Sequence, residues 1–414
     1  MKYARSVLLF GHLGIFPYAV AFADAVPDLV WSIDAGDTRK PGAGYEIASS
    51  VETHPIYLAQ PADGAYHHHP LLFHHDGVFY AVFSECRTGE DGPGQRVRIA
   101  TSVNGKNWTK PSVVLDNIDD YSLDWKESGR MSTPVALFEV DDRVWLISDI
   151  TDVVGFTNKP GSTKVVSKTR KSGLQRIRIF LGYFASEILR DGAVGEQMWV
   201  MEKAPEPVER SAFIRYPTLY EAADADFRES FLRKLASHET RVGPVERLKN
   251  TRIAQDGHRL AEHTIFQRPD RQWIQLARDT SYSHRLYFSQ SSDGKSFSVP
   301  VQTGIPDSPS KTIAGSLPDG RNFIIGNFVH NPETDSIKKH YKRYPLVIAL
   351  SSDGKKFDRA YAIRAEPTEP RFEVGGSSDG YQYPDVAILG DTMWVIYSEN
   401  KQDIYVSKLP WKEL

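Results

Sequence analysis

The chain has 414 residues and a formal net charge of −3, so it carries no excess of positive charge to draw nucleic acid or an anionic membrane. Hydrophobic residues at 40% and charged residues at 25% are globular values. Nineteen Tyr, twenty Phe and eight Trp suit β-rich packing and the apolar faces of sugars, while Cys86, the single cysteine, excludes an internal disulfide.

At the N-terminus, Lys2 and Arg5 precede an apolar stretch from Ser6 to Val20, then Ala21-Phe22-Ala23. This is the pattern of a cleavable signal peptide. Gly11, His12, Gly14 and Pro17 interrupt the stretch and leave it short of a membrane-spanning helix. The expectation is a signal peptide over 1–23, a single β-propeller domain over 24–414, and a secreted or periplasmic protein. Residues 24 to about 62 either supply a further strand set or close the ring by pairing with the C-terminal blade.

From there a short unit recurs six times: polar or aromatic residues, then Pro or Thr, then an apolar run. The units are His67-His68-His69-Pro70, Met131-Ser132-Thr133-Pro134, Arg215-Tyr216-Pro217, Glu262-His263-Thr264, Ser310-Lys311-Thr312 and Tyr381-Gln382-Tyr383-Pro384. In this register Thr264 and Thr312 take the place of the prolines. Most units run on into a turn such as His75-Asp76-Gly77 or Gly390-Asp391 and a second strand-like run. Supersecondary repeats of this kind predict an all-β fold, a seven-bladed propeller with six blades as the alternative. A second repeat reads Ser102-Val103-Asn104-Gly105-Lys106-Asn107-Trp108, Ser291-Ser292-Asp293-Gly294-Lys295-Ser296-Phe297 and Ser351-Ser352-Asp353-Gly354-Lys355-Lys356-Phe357. These resemble the Asp-box turns of sialidase-like propellers, which are structural. Two insertions stand apart. Thr157 to Arg178 is basic, either a rim for anionic polysaccharide or a solvated hairpin tip; Tyr220 to Leu235 has helical spacing.

In a propeller the residues opening each first strand converge on the axis, so His69, Tyr216, His263, Lys311 and Tyr383 are expected to line one pocket. Strand alternation puts His67 and His69 on one side and His68 on the other. His-x-His spacing near Glu262 permits a metal, but no pair sits at helical spacing and no cysteine cluster accompanies it. No nucleophile elbow or phosphate loop is present. Glu85, Asp91, Glu262, Asp279 and Glu399 are the carboxylates available for a glycosidase pair, and no motif marks any of them. The residue mix suits β-elimination of a uronic acid: Arg or Lys neutralises the sugar carboxylate while His and Tyr move the protons.

Glu52-Thr53-His54-Pro55-Ile56-Tyr57, Tyr66-His67-His68-His69-Pro70, Glu90-Asp91-Gly92-Pro93-Gly94-Gln95-Arg96 and Gly380-Tyr381-Gln382-Tyr383-Pro384 together resemble the seven-bladed propeller enzymes acting at rhamnose–glucuronate linkages, and more distantly the propeller ulvan lyases. The resemblance covers about residues 45 to 410. It implies His54 as the main catalytic group, with His68 or His69 in positioning or proton transfer. Tyr383 is expected to join them in proton transfer, and Arg215, Tyr216, His263, Lys311 and Tyr381 to contact substrate. The function expected is a lyase degrading anionic glycans of ulvan or arabinogalactan type, with no cofactor needed for the chemistry and a structural ion such as calcium left open. The alternatives are a glycoside hydrolase of α-L-rhamnosidase type, a sialidase, or a non-catalytic glycan-binding propeller. A sialidase needs an arginine triad, an Arg-Ile-Pro motif and a Tyr-Glu pair, and no Arg-Ile-Pro occurs here.

Overall fold

The computed structural model describes residues 28–414, apart from 35, 38–39, 61–63, 88, 116–128, 158–174, 202–215, 238–251, 331–342 and 374–378. The signal segment, most of the basic insertion and Arg215 therefore lie outside the described residues.

Among the described residues the structure is all-β with two short α-helices, and its sheets form the blades of a propeller. Blade 1 runs through Tyr66–His75, Val78–Cys86, Arg96–Ser102 and Ser112–Leu115. Blade 2 runs through Gly129–Val140, Arg143–Thr157, Gln175–Ile188 and Val194–Trp199. Blade 3 comprises Arg252–Ile253, Arg259–Gln267, Trp273–Asp279, Arg285–Ser291 and Val301–Pro306. Blade 4 comprises Ile313–Ser316, Asn322–Gly326, Leu346–Ser351 and Arg359–Arg364, with Glu46–Ile47 added in parallel at its edge. Blade 5 has Tyr381–Leu389, Thr392–Glu399 and Asp403–Pro410, and its fourth strand is Glu52–Tyr57 from the other end of the chain. That last pairing closes the ring, one of the two roles expected of this segment.

Five blades are described, against the seven expected and the six held as alternative. The described residues leave the seven-blade expectation unconfirmed, and two features bear on it. Of the early strands, Glu46–Ile47 and Glu52–Tyr57 attach to the edges of blades 4 and 5, while Val30–Trp31 and Gly36–Asp37 form two-stranded parallel pairs with Lys356–Phe357 and Val329–His330. The Arg215-Tyr216-Pro217 unit, read as a strand opening, leads into helices: Thr218 caps α1 (Leu219–Ala222) in a reciprocal box with Glu221, and Asp224 caps α2 (Ala225–Leu235). Helix α2 packs Phe231 against Phe138 and Trp145 of blade 2, with ring centroids 5.3 and 5.5 Å apart.

The core is distributed as layers between blades. Leu71, Val82 and Ile99 of blade 1 meet Leu137, Leu146 and Phe184 of blade 2. Phe266, Leu276 and Phe288 of blade 3 meet Ala314, Ile324 and Val347 of blade 4, and equivalent layers join blades 4 to 5 and 5 to 1. Polar staples reinforce the inner strands: Leu72 N donates to Asp385 Oδ2 at 2.9 Å, and Ala314 N to Thr264 Oγ1 at 2.9 Å. All five inner strands line one channel of about 290 Å³, which also receives His263, Lys311 and Lys234.

The three Asp-box turns form as read. Asp293 Oδ1 accepts from Lys295 N and Ser296 N at 2.8 Å each, and Asn104 and Asp353 do the same for their turns. Gly105, Gly294 and Gly354 hold φ near +70°. Phe357 is fully buried in the layer between blades 3 and 4.

Candidate active site

Blades 1, 3 and 5 carry the same irregularity at the start of the inner strand. Register breaks between His68 and Leu71, between Ala261 and Thr264, and between Gln382 and Asp385. At each break one residue takes a left-handed conformation: His69 at φ 54°, Glu262 at 53° and Tyr383 at 55°. For a non-glycine residue this costs of order 1–3 kcal/mol, and three equivalent copies turned toward one axis mark a site held under strain. The repeat also has to be shifted by one residue in blade 3. His263, not Thr264, is the counterpart of Pro70 and Pro384, so Glu262 takes the axial position and His263 lines the channel below. A one-residue slip exchanges which side chain faces the axis.

The axial residues meet. The Tyr383 hydroxyl donates to Glu262 Oε1, Arg278 Nη1 lies 3.4 Å from that hydroxyl, and Arg278 Nη1 pairs with Glu262 Oε2 at 2.9 Å. Burial, reinforced by the Glu262 carboxylate, pushes the Tyr383 hydroxyl well above its ordinary pKa, so it rests as the neutral phenol. Burial opposes the charge of Arg278, but Glu262 and Tyr383 outweigh it and hold its pKa above the ordinary guanidinium value. A second guanidinium, Arg343, is 4% exposed; it donates to Gln382 Oε1 and, through Nη2, to Pro309 O at 2.7 Å. Nearby, Asp307 is fully buried and neither of its carboxylate oxygens has a hydrogen-bond partner. Burial raises its pKa to about 8 despite Arg278 and Arg343, so at neutral pH it is chiefly protonated.

The opposite wall belongs to blade 1. The bulge overturns the alternation expected of His68 and His69 and brings their rings to 4.6 Å between centroids, with His68 4.1 Å and His69 5.4 Å from the Tyr383 ring. His68 Nδ1 lies 2.6 Å from Ser398 Oγ and His69 Nδ1 2.8 Å from Ser84 Oγ. Burial depresses both imidazoles, His68 strongly, so both are neutral near pH 7. Lys401, 5% exposed, reaches both oxygens of Glu90 at 2.7 Å.

Of the residues expected from sequence, His68, His69 and Tyr383 come together here, and His263 and Lys311 line the adjoining channel. Three do not join them. His54 lies on the outermost strand of blade 5, opposite Val406, with Nε2 3.5 Å from Glu52. Three strands separate it from the axis, roughly 14 Å at ordinary strand spacing. Tyr216 packs edge-on against Phe184 in the layer between blades 1 and 2. Tyr381 is fully buried against Tyr397, its hydroxyl donating to Glu366 O at 3.1 Å. Sequence reading gave Arg278, Arg343, Glu90, Lys401 and Asp307 no role, because none of them opens a repeat unit. The useful signal was Glu262 in the register of His69 and Tyr383.

Bulged inner strands of a propeller thus converge on buried, charged groups at its axis. Comparisons agree on the fold: a model of the BNR repeat-like domain matches residues 234–396. A solved sialidase superposes with a TM-score of 0.68 at 19% identity over 92% of this chain and 35% of its own, so the chain spans about a third of that protein's length. A protein of unknown function from Dyadobacter fermentans gives 0.52 at 15% identity, covering 87% of this chain and 99% of that one. The intramolecular trans-sialidase from Ruminococcus gnavus gives 0.50 at 13%, covering 87% and 98%. No curated protein matches the sequence. Among the described residues no helix is long and apolar enough to cross a membrane.

Proposed function

We propose that the chain is a glycosidase acting on a carboxylated sugar, with Tyr383 as nucleophile and Glu262 as its base. The observation carrying this reading is the Tyr383–Glu262 hydrogen bond, bridged by Arg278 at the axis. Transfer of the phenol proton to Glu262 as the hydroxyl attacks the anomeric carbon converts a neutral donor into a nucleophile without leaving an isolated charge. A tyrosine nucleophile is the known exception to the paired-carboxylate rule of glycosidases. A neutral phenol also avoids the repulsion that a carboxylate nucleophile meets beside an acidic sugar. Arg278 and Arg343 supply the guanidinium groups for the substrate's carboxylate, and the leaving oxygen takes its proton from water.

A second reading, β-elimination at a uronate, is favoured by the neutral His68 and His69 beside the Tyr383 ring. The test incubates wild type, Tyr383→Phe and Glu262→Gln with aryl glycosides of sialic and glucuronic acid, and separately with ulvan and arabinogalactan. Aglycone release from an acidic glycoside, lowered at least about a thousandfold in Tyr383→Phe, is the expected result. An activated fluorosugar of the same acid should leave a mass adduct on Tyr383. Release unaffected by Tyr383→Phe refutes the nucleophile. Rising ultraviolet absorbance from an unsaturated uronate moves the assignment to a lyase, and silence on every substrate to a binding propeller.

A further inference from the structure

A second chemistry resides on the blade 1 wall, and it does not rest on the glycosidase reading. One ligand atom from each of His68, His69 and Glu90 lies within 4.8 Å of the others. The hydrogen bonds around the two imidazoles fix which nitrogens these are. Ser84 Oγ donates its one proton to His68 O at 2.9 Å, so toward His69 it can only accept, and His69 Nδ1 carries the proton. His68 Nδ1 is engaged by Ser398 Oγ at 2.6 Å, which leaves Nε2 as the nitrogen free for a ligand. In both rings a serine engages Nδ1, so Nε2 is the nitrogen turned to a ligand. In His68, which is fully buried, that atom has no hydrogen-bond partner. Two imidazoles oriented through their Nδ1 contacts with serine, with a carboxylate as third donor, form the ligand set and the supporting shell of a catalytic-type zinc site.

We propose that His68 Nε2, His69 Nε2 and a Glu90 oxygen bind one divalent ion of the Zn²⁺ class. The borderline nitrogen and oxygen donors suit zinc or cobalt and are poor for calcium or magnesium. Lys401 competes, since its ammonium holds both Glu90 oxygens and would have to release one of them.

The test uses untagged full chain stripped with chelator. Zn²⁺ is titrated by calorimetry, and Co²⁺ by its visible absorption. The expected result is one ion per chain, with a cobalt spectrum of a low-coordinate nitrogen and oxygen site. Affinity should fall at least tenfold in His69→Gln and in Glu90→Gln, and about ten- to a hundredfold in Ser398→Ala through lost ring orientation. In Lys401→Gln it should rise. His69 and Glu90 are only half-buried, and circular dichroism checks that each variant keeps its fold. Absence of a stoichiometric site in wild type overturns the proposal, as does equal affinity in His69→Gln and Glu90→Gln. Neither outcome bears on Tyr383 or Glu262, so failure here and failure of the glycosidase reading remain distinguishable.

Discussion

Asp307 shows how one side chain can cost stability at a site. Its folded pKa of about 8 lies above the unfolded value, so below about pH 4 both states are protonated and no penalty arises. As pH rises from about 4 toward 8 the unfolded state loses its proton and the folded state keeps it, destabilising the fold by about 1.4 kcal/mol per unit. Asp307→Asn should therefore raise the thermal midpoint at pH 8 and leave it nearly unchanged at pH 4; equal gains at both would refute the cause. Glu85 has the opposite sign. Burial alone would raise its pKa, but His67, Arg96 and Arg98 overcome this and lower it to about 2. Its stabilisation is full above about pH 4.5 and fades as pH falls toward 2. Glu85→Gln should cost roughly 3–5 kcal/mol at pH 7, read from urea unfolding, because two arginines lose their buried partner. At this scale the sequence was half legible. Histidines and Tyr383 announced themselves by opening repeat units, whereas Arg278 and Arg343 reach the axis from second strands and loops that no local pattern marks.

Among the elements, the turns were the most legible because their chemistry is local. The Asp-box dictates its own hydrogen bonds: Ser351 Oγ and Asp353 Oδ1 lie 3.0 Å apart, and Asp353 then takes Lys355 N at 2.7 Å. Asp353→Ala should cost about 1–2 kcal/mol, comparable to losing a helix cap. Gly354→Ala should cost more, since φ is +70° and a Cβ would stand 2.5 Å from Asn322 Oδ1. Urea midpoints of the two variants check the order; Asp353→Ala above Gly354→Ala in cost would contradict it. The inner-strand bulges were illegible for a matching reason. Alternation is a rule for regular strands, and it misplaced His68 because the break at His69 depends on pairing with a strand further along the chain. His54 failed likewise: a convincing motif context said nothing of the fact that its strand is claimed by the far end of the chain.

For the whole molecule, ring closure is the feature on which the rest depends. Thr53 and Ser407 face each other across the closing pair, their hydroxyl oxygens 2.8 Å apart. Thr53→Cys with Ser407→Cys should form a disulfide that stabilises by about 2–4 kcal/mol under oxidising conditions and is lost on reduction. Cys86 is buried and should not interfere. A thermal midpoint insensitive to reductant, with the bond verified by mass, would show that the closing pair does not limit unfolding.

The closing pair also sets a clock. Strand Glu52–Tyr57 is synthesised ahead of the inner strand of every described blade, and its partner Asp403–Pro410 follows all of them. Until that partner is made the early strand waits as an unpaired edge, the kind of surface that invites wrong partners. Tyr383 belongs to the blade that this late event completes, while Glu262 waits two blades upstream. The nascent chain thus cannot complete the blade that carries Tyr383 until Asp403–Pro410 has been made, and the axial pair is set only then.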